Sequence, residues 1–408
     1  MEMESALAAV SRKRIAGRIE TLAKIGRDPA GGITRLALTP EEQAARELVR
    51  SWLEPLGYRC DQDDAGNLHC VVGEAPRVLV GSHLDTVPRG GAYDGALGVV
   101  AAAEVAEALH QAGTAVPLHV VAWTGEEGPR FGTGLFGSAA ACGLLPERAW
   151  ERRDAGGRTA LEAAAELLGR PVRPESVVLE RERARAYLEL HIEQASTLER
   201  RGCPLGVVTA IVGLYHGRVH LTGRADHAGA TAMGERKDAL AAAAECVLAV
   251  EEVSSAAAGN AIATVGEIEV SPGAQNVVPG SATFSLDVRS VSAERRLAAA
   301  SAILDRIERI CVRRGLAWRV EELGEAAQVP MTGEVAGALA SACERLGFEA
   351  PRLPSMAGHD AQSLAAVGVP TGMLFVRSTN GSHNPDEHAD AADAALGTQA
   401  LLLACASL

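Results

Sequence analysis

RVLVGSHLDTVPRGGAYDGALGVVAAAEVAEALHQAGTAVPLHVVAWTGEEG, running from Arg77 to Gly128, is the stretch whose reading decides the fold. An apolar run (Arg77 to Gly81) leads into a glycine-rich loop, then a helix-like segment from Gly95 to Gln111, then a second apolar run from Leu118 to Trp123. Such alternation predicts an α/β architecture, a mostly parallel sheet with helices on both faces. AYLELHIEQ (Ala186 to Gln194) reads as another strand. From about Val207 the texture becomes β-rich, followed by an Ala-rich helix (Asp238 to Ser255), the strands AIATVGEIEV and SATFSLDVRS, and a second helix from Glu294 to Arg314. That pattern predicts a smaller α+β domain inserted at 207–322, with the first domain made of 1–206 and completed by 323–408.

The 408 residues carry 39 Lys+Arg against 52 Asp+Glu, a net charge of −13, which disfavours a sequence-independent grip on nucleic acid or on an anionic membrane. A small-molecule substrate suits this charge better. The eight cysteines are scattered without a C-x-x-C pair, so no disulfide framework is expected and a reducing compartment is. The opening MEMESALAAVSRKRIAG lacks the basic-then-apolar order of a signal peptide, and no apolar run approaches the length of a membrane span. The expectation is a cytoplasmic protein.

Histidines and carboxylates cluster at the ends of the apolar runs, where open parallel sheets place their ligand crevice. RVLVGSHLD ends in His83 and Asp85, and VVAWTGEEG ends in Glu126 and Glu127. YLELHIEQ supplies His191 and Gln194, while MLFVRSTNGSHNPDEH supplies His383. Asp94 lies in RGGAYDG, whose glycines let backbone fold closely around a site. Any one of these is an ordinary structural or surface residue; His83, Asp94, Glu127, His191 and His383 together make five candidate N/O metal ligands. Asp85, two residues after His83, is placed to accept the imidazole N–H. The neighbours Glu126 and Glu127 diverge at a strand end, so one can hold metal while the other handles a proton.

The blocks GSHLDTVPRGGAYDGALGV, TGEEGPRFGTGLFGS, LHIEQASTLE, ADHAGATAM, QNVVPG, FSLDVR, AGHDAQSLA and NGSHNPDEH resemble, in order, those of the M20-type binuclear metallohydrolases. The resemblance is to the amidase/hydantoinase/carbamoylase branch: N-carbamoyl-L-amino-acid hydrolases, β-ureidopropionases and allantoate amidohydrolases. It implies that His83, Asp94, Glu127, His191 and His383 hold two divalent ions with Asp94 bridging, and that Glu126 is the general base, with Asp85 and His227 also among the catalytic residues. It also implies that Gln194, His227, Asn276 and Arg289 contact substrate, the last three from the insert, and that the insert is a lid through which a homodimer forms. Ala232, Arg377 and Asn380-Gly381 depart from the family pattern, and the last two bear on substrate preference.

The chemistry implied is hydrolysis of the C–N bond of an N-carbamoyl-L-amino acid or similar ureido acid to amino acid, carbon dioxide and ammonia. A ureido carbonyl is a poor electrophile, so it needs a Lewis acid on oxygen and a water of lowered pKa; two ions supply both. A mixed N/O ligand set suits Zn, Mn, Co or Ni. Arg289 either grips a substrate carboxylate or makes an ion pair with Asp287, and Asn276 either binds substrate or serves the turn before Pro279-Gly280. His359 either orients the site or caps a helix. An aminoacylase or dipeptidase keeps the same metals, and a non-catalytic metal-binding scaffold is a third reading, against which stands Glu126, a carboxylate such a scaffold has no use for.

Overall fold

The protein is described by a computed structural model covering residues 2–257 and 261–408. It divides into two compact units, Met1–Thr209 with Pro330–Leu408, and Ala210–Val329.

The first unit is built on a large sheet in the order Arg59–Gln62, Leu68–Val72, Leu118–Trp123, Arg77–His83, Ala184–Ile192, Thr371–Val376, Leu205–Ile211, Val329–Pro330, with Arg352–Ser355 also pairing Leu205–Ile211. The four central strands, from Leu118–Trp123 to Thr371–Val376, are parallel, and antiparallel strands flank them. Burial explains their composition: Leu118–Trp123 and Thr371–Val376 are buried at every position, as strands covered on both faces must be. All four end on one edge of the sheet, at Trp123, His83, Ile192 and Val376, and the loops leaving that edge carry the candidate residues.

Helix Ala96–Ala112 is buried along most of its length because it packs between the sheet and the helices Arg12–Leu22, Pro40–Leu53 and Ala391–Ser407. It opens directly after Gly95, whose φ of +63° and lack of a side chain are both required, since a Cβ there would strike the His83 ring. The loop Pro88–Asp94 is thereby pressed against the strand end that carries His83.

The second unit is an antiparallel sheet in the order Ile268–Ser271, Ser281–Ser290, Gly213–Thr222, Ala317–Ala326, with Ile262–Thr264 pairing Ser281–Ser290. Strict alternation of burial along Ser281–Ser290 turns Phe284, Leu286 and Val288 onto Ile303 and Ile307 of helix Ala293–Arg314 and onto Ala242, Ala243 and Cys246 of helix Ala239–Ala256. The opposite face is polar. A separate hairpin pairs Asp226–His227 with Val277–Val278.

One expectation fails. Cys60 and Cys70 form a disulfide, because the antiparallel hairpin sets them directly opposite each other. Spacing in the sequence cannot reveal a pairing that depends on strand register. The other six cysteines are free. Among the described residues no helix is long and apolar enough to cross a membrane.

Candidate metal centre

His83 closes its strand and His191 lies one residue from the end of the adjacent strand, so the sheet itself fixes both rings, each 1% exposed. The His83 Nδ1 donates to the Asp85 backbone carbonyl at 3.1 Å, and the His191 Nδ1 to that of Ile192 at 2.9 Å. The carbonyls fix a proton on each Nδ1, so in the neutral imidazoles both Nε2 atoms present lone pairs. Those lone pairs face Asp94 Oδ1, at 3.7 Å from His83 and 3.1 Å from His191. Asp94 Oδ1 and His191 Nε2 are buried without any hydrogen-bond partner. Two acceptors turned on each other away from water need a positive charge between them, a proton or a metal ion, so these residues fit a metal.

The other oxygen of Asp94 faces a second group. His383, held at a φ of +59°, places Nε2 3.5 Å from Asp94 Oδ2 and 3.2 Å from Glu127 Oε2. His83, Asp94 and His191 thus make one possible ion cradle, and Asp94, Glu127 and His383 another. Among the described residues no Lys or Arg forms an ion pair with Asp94, Glu126 or Glu127. Burial works to raise the Asp94 carboxyl, yet in the absence of metal a protonated His191 that donates to it, and the charge of a protonated His83, hold it well below the usual carboxylate range. Glu126 behaves oppositely: burial pushes its carboxyl well above that range, His83 opposes, and Glu127 and Asp360 add to the rise. Its Oε2 lies 3.8 Å from His83 Nε2.

The description "Peptidase family M20/M25/M40" belongs to a family model that matches residues 79–407. The chain is a member of this family. An N-carbamoyl-L-amino acid amidohydrolase of Geobacillus stearothermophilus is 41% identical over 402 residues, covering 96% of this chain and 97% of that protein. Allantoate deiminase 1 of Glycine max is 33% identical, covering 93% and 86%. The crystal structure of an amidase of the hydantoinase/carbamoylase family from Burkholderia multivorans superposes with a TM-score of 0.88 at 34% identity, covering 98% of each chain. This M20 chain is therefore a hydrolase of a metal-dependent family, with a donor set of the matching chemistry.

Within the M20 site, the carboxylate of Asp85 faces the His83 ring, with Oδ1 3.5 Å from Nδ1, which the Asp85 backbone carbonyl also approaches, and its two oxygens accept the N–H groups of Glu126 and Glu127 at 3.0 and 3.1 Å. Asp85 sets the turn that points the two glutamates apart. Gln194, at a φ of +60°, donates to Asp94 Oδ2 at 2.8 Å and keeps its own Oε1 buried and unpartnered. The segment around His359 does cap a helix, with Asp360 at the N-cap of Ala361–Ala366, while the His359 ring stacks edge-on against His191 with centroids 4.4 Å apart and its Nε2 lies 2.7 Å from Ser355 Oγ. Arg377 is engaged by Asp393 at 2.7 Å, and Asn380 donates to the Asp386 carbonyl, so both departures shape the loop that holds His383.

In the second unit His227 and Asn276 come together on the small hairpin, where the Ala228 N–H donates to the Asn276 carbonyl. The His227 Nδ1 accepts the N–H groups of Gly229 and Ala230, which leaves the proton on Nε2. Arg289 lies on the polar sheet face and donates to both oxygens of Asp287, at 2.8 and 3.1 Å. The ion pair, one of the two readings of this residue, is thus present. Sequence reading missed Ser382 and Glu387, which lie within NGSHNPDEH but act on residues nearly 300 positions earlier.

Proposed function

We propose that this enzyme hydrolyses the C–N bond of an N-carbamoyl-L-amino acid or a closely similar ureido acid, using two divalent ions. The observation that carries the reading is Asp94, one oxygen of which faces His83 and His191 while the other faces Glu127 and His383. The 41%-identical N-carbamoyl-L-amino acid amidohydrolase supports the substrate class. Zn, Mn, Co or Ni suits the donors. Ions held there supply a Lewis acid for the ureido oxygen and lower the pKa of water.

Glu126 takes the proton of the attacking water and delivers it to the departing nitrogen, a task suited to a carboxyl that burial has raised. The unpartnered Oε1 of Gln194 accepts a ureido N–H. In this reading His227 offers its Nε2–H to the developing oxyanion, Asn276 binds beside it, and Arg289 takes the substrate carboxylate in exchange for Asp287. The carbamate released decomposes to carbon dioxide and ammonia. Homodimer formation through the insert and residence in the cytoplasm belong to the same proposal; mass measurement in solution and cell fractionation test them.

The deciding experiment strips metal with a chelator, reloads Mn, Co, Ni and Zn in turn, and offers N-carbamoyl amino acids, allantoate, N-acetyl amino acids and dipeptides. Highest kcat/KM on an N-carbamoyl amino acid, with none in metal-free protein, is the expected result. Allantoate is the second reading, favoured by the 33%-identical allantoate deiminase. Full activity without metal, or activity on dipeptides alone, overturns the proposal.

Arg289→Lys should raise KM for the carbamoyl amino acid about tenfold, since a bidentate charge-assisted contact is worth roughly 1.5–3 kcal/mol and a point charge keeps only part of it. The corresponding carboxamide should show no change. An equal rise for both substrates makes Arg289 structural.

A further inference from the structure

The two ion cradles are built differently. His83 and His191 stand on adjacent parallel strands, each ring pinned by a backbone carbonyl. Asp94 and His383 stand on loops, and His383 is half exposed. Something must hold those loops in register, and Glu387 has the geometry for it. The residue is only 4% exposed. Oε1 accepts the backbone N–H groups of Tyr93 and Asp94, each at 3.0 Å. Oε2 lies 2.6 Å from Ser382 Oγ, and the same hydroxyl lies 2.6 Å from Asp94 Oδ2. Gly91 makes room for this, because a Cβ there would overlap the Glu387 carboxylate.

We infer that Glu387 is a positioning residue chiefly for one ion, the one between Asp94 Oδ2, Glu127 and His383, and that it acts by clamping the Asp94 loop to the His383 loop. The cradle of His83 and His191 shares Asp94 with it but has both rings fixed on the sheet, so it depends on the clamp far less. The inference rests on the two-ion reading above. What matters is the reach of two acceptor oxygens, not the charge. A glutamine keeps one oxygen for the two N–H groups and offers its amide to Ser382, whereas an aspartate keeps the charge and falls a methylene short.

The test titrates chelator-stripped wild-type, Glu387→Ala, Glu387→Gln and Glu387→Asp proteins with Mn²⁺ and Co²⁺ by calorimetry, and counts metal retained after desalting. Wild type should bind two ions. Glu387→Ala and Glu387→Asp should keep the first ion near wild-type affinity and bind the second about 10–100-fold more weakly, the range for a partner that orients a ligand. Glu387→Gln should bind both nearly as wild type does. The visible spectrum of the first Co²⁺ bound should be the same in all four. Two ions at wild-type affinity in Glu387→Ala, or equal loss of both, overturns the inference. If Glu387→Ala does not fold, as judged by circular dichroism, the other two decide: a weak second ion in Glu387→Gln with an intact one in Glu387→Asp refutes it. A wild-type protein that binds no metal instead refutes the two-ion reading itself.

Discussion

Glu126→Gln should lower kcat by about 10²–10⁴-fold, the contribution of a positioned general base, while metal content stays at two ions per chain. Glu126 and Glu127 are adjacent and chemically alike, but the Asp85 carboxylate holds both their N–H groups and turns their side chains apart. One faces the His83 side and one faces His383. Glu127→Gln should therefore lose metal as well as activity, because an amide nitrogen replaces a donor oxygen. Metal analysis after desalting, run beside steady-state kinetics, separates the two variants. Equal metal loss would mean that the roles of the two glutamates are assigned wrongly.

The features legible from sequence share a physical cause. Strands covered on both faces are written as unbroken apolar runs, so their ends can be read to within about two residues, and the side chains at or just past those ends are placed to line the crevice. His83, Glu127, His191 and His383 are found that way. The alternation along Ser281–Ser290 likewise marks a strand with one wet face. Features that stay hidden depend on register or on backbone hydrogen bonds. Cys60 meets Cys70 only because the hairpin pairs them. Glu387 reaches the Asp94 N–H across 293 positions of chain, and no spacing rule records a side chain bonded to distant backbone. Asp85 is read only in part for the same reason: its approach to the His83 ring is visible from its position, but the turn N–H groups it caps are not. The positive φ at Gln194 and His383 is invisible too, since neither residue is a usual left-handed type.

Asp94→Asn is the substitution expected to have the largest effect on the metal centre. Each oxygen of Asp94 faces a different group of candidate ligands, so in the proposed two-ion site an amide cannot satisfy both: one oxygen becomes an NH₂ that repels a cation, and the lost charge weakens whichever side keeps the oxygen. Affinity at both positions should fall by more than about 100-fold, beyond the 10–100-fold that outer partners of ligands contribute. His191→Ala and His383→Ala should each cost one ion only. Stability reads out the same difference without reference to activity. Metal at about 100 times its Kd stabilises a protein by about 2.7 kcal/mol per site, so added Mn²⁺ should raise the Tm of stripped wild type and of each histidine variant, but not that of Asp94→Asn. If Asp94→Asn keeps one ion at wild-type affinity, Asp94 belongs to a single cradle, and the bridging role that organises the rest of the site is wrong.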